Sequence, residues 1–320
     1  MRSVAFLVLF AALAVPTASA QDYPAKPVRI VVPYAPGGVT DIASRIVGQK
    51  LSEQWKQQVV IENRPGGGGL VGTQLAAKAT PDGYTLLAAT ISEFSITHHL
   101  YAKYPLDPVK DFVPIVLLSD TPLMFAAHVS APFNTVAEMI AYAKKQPGGL
   151  AFASPGNGTL NQLTGERFAL ETGIKMLHVP YKGGAPAGAA LASGEVPVGV
   201  VAASSALPHI KSGRVKPIAV TMKKRIPLGP DWPTVAESGV PGFEASNWVA
   251  LVGPAGTPRE IVAKVSADAN RILKLSDVRE RFVGVGAEAV GSTPEELAAR
   301  IRSDSERYGK IAKQLKIRLD

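Results

Sequence analysis

The chain has 320 residues, of which 46% are hydrophobic and 19% are charged, and it contains 30 glycines, 26 prolines and no cysteine. This composition excludes a disordered or fibrous chain, and the lack of cysteine excludes disulfides, thiolate zinc sites and cysteine nucleophiles. The net charge is +8, but the basic residues are scattered and no aromatic residues alternate with them, so we expect no nucleic-acid binding.

The first twenty residues have the pattern of an export signal. Arg2 supplies a positive charge, an apolar run extends from Val4 to Val15, and Ala18-Ser19-Ala20 is a small-x-small cleavage site. The run is shorter than the roughly 20 apolar residues that a spanning helix needs, which disfavours the alternative of a membrane anchor. The sequence therefore predicts a signal peptide over residues 1–20, cleaved after Ala20, and a protein exported in soluble form.

From residue 28 onward the chain repeats one theme: a short apolar run, a glycine or proline turn, then a segment with helical spacing. This alternation is typical of an α/β fold. The predicted strands are residues 28–34, 59–62, 84–89, 150–153, 196–202 and 217–221, and the predicted helices are residues 40–55, 70–79 and 136–145, with another after Thr159.

Two further apolar segments predict crossings between domains. Residues 113–118 and 123–127 are separated by Asp120-Thr121-Pro122, and residues 248–252 form the return run. We therefore expect two α/β domains, one made of residues 21–122 plus 247–320 and the other of residues 123–246. A cleft between two such domains closes on a ligand by hinge motion.

Three Thr-x-x-Glu patterns predict helix starts with capping boxes. They begin at Thr135, Thr257 and Thr293, and in the last two a proline follows the threonine, as is common at the first helical position.

Three glycine-rich loops lie between a predicted strand and a predicted helix, at residues 36–41, 65–70 and 154–159. Glycines let the backbone approach a ligand closely, and the unpaired N–H groups of a helix start favour bound negative charge. The loops therefore predict a carboxylate or phosphate site that needs no Arg or Lys. The alternative is that the glycines serve only as turns.

Motifs for enzyme chemistry are incomplete. Ser154 has Phe152 where the G-x-S-x-G elbow of a hydrolase begins, so an exported serine hydrolase that uses Ser154 stays an alternative only. The match of residues 67–72 to G-x-G-x-x-G follows from the glycine run itself, and no histidines have metal-ligand spacing. We expect no cofactor, no bound metal and no catalytic residues.

Five motifs, in this order along the chain, resemble those of the Bug family, the extracytoplasmic solute receptors of tripartite tricarboxylate transporters. They are VPYAPGGVTD at residues 32–41, ENRPG at 62–66, PDGYTLL at 81–87, HVPYKG at 178–183 and WPTVAESG at 232–239. The resemblance implies a type 2 periplasmic-binding-protein fold, in which two α/β domains are joined by two crossing strands around a ligand cleft. It also implies a periplasmic receptor that captures a small organic carboxylate and delivers it to membrane transporter subunits; we expect a monomer.

The resemblance also implies which residues bind the ligand. The group expected to hold a carboxylate, mainly through backbone amides, is Ala35, Gly37, Gly38, Thr40, Asp41, Gly68 and Gly69. The group expected to read the rest of the ligand is Thr90, Ser92, Ser154, Asn157, Gly158, Thr159, Tyr181 and Lys182. Asp41 could equally serve to cap its own helix.

The chain departs from the family pattern at two places. Gln162-Leu163 stands where a His-Leu pair is common, and Ala202 stands where an aspartate is frequent. The missing acid disfavours a ligand ammonium group and favours a carboxylate with a neutral or aromatic remainder. A sensory receptor that presents its ligand to a signalling partner is a further alternative that the sequence leaves open.

Overall fold

The computed structural model describes residues 23–319, so the predicted signal peptide lies outside the described residues. The strands are β1 Val28–Val32, β2 Val59–Asn63, β3 Thr85–Thr90, β4 Phe112–His128, β5 Leu150–Ser154, β6 Met176–Pro180, β7 Val198–Ala202, β8 Val215–Val220, β9 Ser246–Pro254 and β10 Glu288–Ala289. The helices are α1 Val39–Trp55, α2 Leu70–Ala77, α3 Val136–Ala143, α4 Leu160–Thr172, α5 Gly184–Ser193, α6 Ala203–Lys211, α7 Arg259–Leu273, α8 Ser276–Gly284 and α9 Pro294–Leu315. The alternation predicted from the sequence is confirmed.

The strands form two groups that share β4. In the first group the order is β2-β1-β3-β9-β4, with β10 paired to β4; β1 runs parallel to β2 and β3, and β9 is antiparallel to its neighbours. In the second group β4 lies between β8 and β7, and β7-β5-β6 continues in parallel.

Strand β4 changes partners at the predicted interruption. Residues 112–122 pair with β9, whereas residues 123–128 pair with β7 and β8. The two apolar runs seen in the sequence are thus halves of one strand of 17 residues, and the polar residues between them mark the change of sheet. The division into domains at residues 122/123 and 246/247 stays a prediction.

The core follows the two groups of strands. Strands β3 and β9 are buried almost throughout, and both pack against α1 and α2. Burial of each large apolar side chain stabilises the fold by about 1.5–3 kcal/mol. Trp248 is fully buried, and its indole Nε1 donates to Asp304 Oδ2 of α9 at 2.9 Å. This bond satisfies the one polar atom of the ring and ties the C-terminal helix to β9.

Two of the three predicted capping boxes are present. Thr135 and Thr293 each accept from the backbone N–H three residues on, and Glu138 and Glu296 complete the reciprocal bonds. The prediction at Thr257 is wrong. Its hydroxyl donates to the Pro254 carbonyl at 2.8 Å, at the end of β9, so α7 begins one residue later, with Pro258 as its N-cap.

Candidate functional site

A cavity with a volume of about 30 Å³ lies between the loops of the two strand groups. Its lining residues come from the carboxyl ends of strands and the first turns of the helices that follow them, which is where α/β proteins bind ligands. They are Tyr34, Gly38, Val39, Thr40, Thr90, Ser92, Pro155, Thr159, Asn161, Gly184, Ala202, Ser205 and Asn247.

The N-termini of four helices contribute to this lining: α1 through Gly38, Val39 and Thr40, α4 through Thr159 and Asn161, α5 through Gly184, and α6 through Ala202 and Ser205. Each helix start carries unpaired N–H groups and the positive end of a helix dipole. Together they create a positive potential without any formal positive charge, because the lining contains no Lys, Arg or His.

Several polar groups of the lining have no partner in residues 23–319. The backbone N–H groups of Gly38, Val39 and Thr40 meet no protein acceptor there. The Ser205 hydroxyl and the Asn247 side-chain carbonyl are buried and also unpaired. Unpaired buried polar atoms are costly, and their presence in the lining of a cavity indicates that a ligand or water supplies the missing hydrogen bonds.

Asp41 shapes the first loop from behind and does not line the cavity. Its carboxylate accepts from Gly37 N at 2.9 Å, from Asn63 Nδ2 at 3.0 Å and from Arg45 Nε at 3.0 Å. Burial disfavours its charged form, but these hydrogen bonds outweigh that effect, so the pKa of Asp41 lies below its ordinary value. An ionised Asp41 therefore fixes the loop that presents Gly38 to the cavity.

Contacts across the cavity mouth join the loops of the two strand groups. Ala35 N donates to Lys182 O at 3.0 Å, and Leu160 N donates to Ser92 Oγ at 3.1 Å. Gly68 lies so close to Asn157 that an added Cβ would be 1.8 Å from the Asn157 carbonyl oxygen. The cavity is therefore covered in this structure.

The structure places the predicted site residues in two sets. Five line the cavity: Gly38, Thr40, Thr90, Ser92 and Thr159. The other ten lie behind or beside it: Ala35, Gly37, Asp41, Gly68, Gly69, Ser154, Asn157, Gly158, Tyr181 and Lys182. Among these, Gly158 N donates to Gln162 Oε1 at 2.8 Å and the Tyr181 hydroxyl donates to Glu195 at 2.7 Å. A role of any of the fifteen in binding stays a prediction.

Ser154, the candidate nucleophile of the hydrolase alternative, lies 2.5 Å from His178 Nε2 through its hydroxyl oxygen. The serine is fully buried, its hydroxyl also contacts the backbone of Gly156, and it does not line the cavity. Burial lowers the pKa of His178 to about 4. In the described part of the chain no carboxylate hydrogen-bonds to His178, so the pair lacks the orienting third group of a catalytic triad.

Three lining residues, Ala202, Ser205 and Asn247, lie outside the glycine-rich loops. Ser205 and Ala202 lie at a strand-to-helix junction that has no glycine, and Asn247 lies next to Trp248 in the return crossing. Their signal in the sequence is position alone, namely a polar residue directly after a buried strand or within a crossing.

Glu93 is a further residue without a sequence signal. It lies in a single π-helical turn at Ser92–Ile96, is 1% exposed, and contacts both Tyr34 and Thr90 of the lining. Burial raises the pKa of Glu93 despite hydrogen bonds from Tyr34 and Thr90 that favour its ionised form.

Residues 23–319 contain no cluster of three or more His, Asp or Glu side chains arranged to hold a metal ion. No helix in this part of the chain combines the length and the apolar character that crossing a membrane requires.

Two α/β strand groups that share a crossing strand, with helix N-termini directed at a cavity between them, define a solute-binding protein with the periplasmic-binding-protein fold. Residues 43–317 match the model of the tripartite tricarboxylate transporter family receptor. The chain belongs to this family, and the Bug-family resemblance is confirmed.

Individual relatives agree with this assignment. The protein BugT of Bordetella pertussis is 33% identical over 312 residues, which cover 97% of this chain and 95% of that protein. The solved structure of Rpa4515 of R. palustris with adipate is 34% identical, with a TM-score of 0.90, over 93% of this chain and 99% of that one. The solved structure of MatC of Rhodopseudomonas palustris with bound malate is 32% identical, with a TM-score of 0.86, over 90% of this chain and 99% of that one.

Proposed function

We propose that this protein is a periplasmic receptor that captures a small organic carboxylate in the cavity and delivers it to a tripartite tricarboxylate-type membrane transporter. The observation that carries the proposal is the lining itself. Four helix N-termini and several unpaired N–H and hydroxyl groups surround a space that contains no basic side chain. Such a set of donors suits an anion that has to be bound reversibly.

The class of anion follows from the shape and chemistry of the lining. The lining has no acidic side chain either, so a ligand ammonium group would find no counter-charge within it. Val39, Pro155 and Ala202 add apolar surface for a carbon skeleton. The adipate and malate named for the two Rhodopseudomonas structures are small carboxylates of this kind.

Capture by hinge closure is part of the proposal. The change of partners within β4 and the return of the chain through β9 support two domains joined at these strands. A ligand that contacts loops of both domains stabilises the closed state by the contacts that exist only there. The predicted signal peptide and the relatives described as periplasmic support the location.

The proposal is tested by a thermal-shift screen of the mature protein against mono-, di- and tricarboxylates, aromatic acids and amino acids. A ligand at 100 times its dissociation constant adds about 2.7 kcal/mol to the free energy of unfolding. We expect at least one carboxylate without an amino group to raise the melting temperature by several degrees. No shift with any acid, together with no carboxylate in mass spectra of the natively purified protein, would refute the proposal.

A further inference from the structure

The hydrogen bonds of Glu93 place its protonation site on one oxygen. Its Oε2 already accepts from Thr90 N at 2.8 Å and from Thr90 Oγ1 at 2.7 Å. Its Oε1 contacts the hydroxyl of Tyr34 and no other hydrogen-bond donor among the described residues. A proton bound by this carboxyl therefore lies on Oε1, between Glu93 and Tyr34.

The position of this proton decides what Tyr34 presents to the cavity. When Glu93 is ionised, the Tyr34 hydroxyl donates its only proton to Oε1, and only its lone pairs remain for a ligand. When Glu93 is protonated, Oε1 donates to the Tyr34 oxygen instead. The Tyr34 proton is then free to turn toward the Gly68 carbonyl at 3.2 Å or toward a cavity ligand.

A carboxylate ligand requires the second arrangement, since it accepts hydrogen bonds and is repelled by a nearby negative charge. We propose that Glu93 is a positioning residue that couples ligand capture to uptake of one proton, so that the receptor binds an organic carboxylate together with H⁺. This inference rests on the proposed function, because it assumes that a carboxylate occupies the cavity that Tyr34 lines.

The surroundings of Glu93 support this coupling. The titratable groups that face it are the phenols of Tyr34, from the loop after β1, and of Tyr104, from the segment before β4. No ion pair with Lys, Arg or His is formed by Glu93 in residues 23–319. Gly69 leaves the space for the carboxyl, since an added Cβ there would lie 2.3 Å from Oε1. Because none of these cations pairs with Glu93 in the described residues, its protonation removes the repulsion that an approaching ligand carboxylate would meet.

The test uses calorimetry of the mature protein with the carboxylate that gives the largest shift in the screen, in pairs of buffers with different ionisation enthalpies, from pH 5 to pH 8.5. For the wild type we expect uptake that approaches one proton in part of this range. By linkage, the affinity in that part of the range falls by up to about tenfold for each unit by which the pH rises. Glu93→Gln, whose amide donates to Tyr34 at every pH, is expected to bind as the wild type does at low pH and to show no such uptake.

Glu166→Gln is the matched control. Burial also raises the pKa of Glu166, but this residue lies in α4 and does not line the cavity, so proton uptake is expected to stay as in the wild type.

If Glu93→Gln does not fold, Tyr34→Phe replaces it, and loss of the uptake in that variant supports the coupling. Equal uptake in the wild type and in the Glu93 or Tyr34 variant at every pH overturns it. Absence of any binding heat in the wild type would instead count against the proposed function.

Discussion

At the scale of single residues, the site depends on side chains that hold the loops as much as on groups that face the cavity. Asp41 illustrates this. The sequence suggested either ligand contact or helix capping. In the structure the carboxylate is 4% exposed and accepts hydrogen bonds from Gly37, Arg45 and Asn63, a set of contacts that we call the brace. Hydrogen bonds to a charged group contribute more than neutral ones, so this brace stabilises the loop before α1.

Replacement of Asp41 by alanine is therefore expected to lower both stability and affinity. Loss of the charged hydrogen bonds costs about 1.5–3 kcal/mol of unfolding free energy. Loosening of the loop that carries Gly38 is expected to weaken carboxylate binding by about tenfold, which corresponds to 1.4 kcal/mol. Chemical denaturation and calorimetry measure the two effects.

The same residue predicts a pH dependence. The folded-state pKa of Asp41 lies below its unfolded value of about 3.9. The contribution of Asp41 to the free energy of unfolding is therefore complete above the unfolded value and is lost as the pH falls through the folded-state pKa. Asp41→Asn should lack this loss.

Asp277→Ala, at an exposed aspartate that pairs with Lys50, is the control for the effect of Asp41→Ala on binding and should keep wild-type affinity. Unchanged affinity in Asp41→Ala would show that the brace is not needed for binding.

At the scale of elements, the unit that recurs is a buried strand followed by a helix whose first turn faces the cavity. Much of this was predictable, because apolar runs, glycine turns and helical spacing identified β1, α1, β5 and α4. The contribution of α6 was not, since its N-terminus has no glycine and no capping side chain. The failure at Thr257 has a similar cause: a capping pattern is local, whereas the bond to Pro254 depends on where β9 ends.

Ser205→Ala tests the role of the first turn of α6. The hydroxyl is buried and unpaired, so its removal is expected to leave the free energy of unfolding unchanged or slightly higher. If it donates to the ligand, its loss weakens carboxylate affinity by about fivefold to tenfold, as for one hydrogen bond to a charged group. Ser212→Ala, at the exposed end of the same helix, should change neither quantity. A Ser205 variant with wild-type affinity would remove α6 from the binding site.

At the scale of the whole molecule, the covered cavity requires close approach of backbones from the two strand groups. The switch within β4 could be anticipated from two apolar runs and a return run, which predicted crossings between domains. The contact of Gly68 with Asn157 could not, because it depends on how two distant loops meet in space.

Gly68→Ala is expected to block this approach and to abolish or strongly weaken binding, since its Cβ would lie 1.8 Å from the Asn157 carbonyl oxygen. Gly67→Ala is the matched control. Both glycines have positive φ angles, 57° for Gly67 and 64° for Gly68, so both variants carry similar backbone strain. The added Cβ at Gly67 meets only Leu70, at 3.3 Å. Small-angle scattering should show compaction on ligand addition for Gly67→Ala and none for Gly68→Ala. Equal compaction in both would contradict closure through this contact.

The central claim is that uncharged donors at helix N-termini bind a carboxylate in this cavity. The most direct measurement compares, by calorimetry, the acid identified in the screen with its neutral amide of the same carbon skeleton. We expect the acid to bind and the amide to bind at least about 100-fold more weakly, a difference of about 2.7 kcal/mol. Equal affinity for the acid and its amide would contradict it.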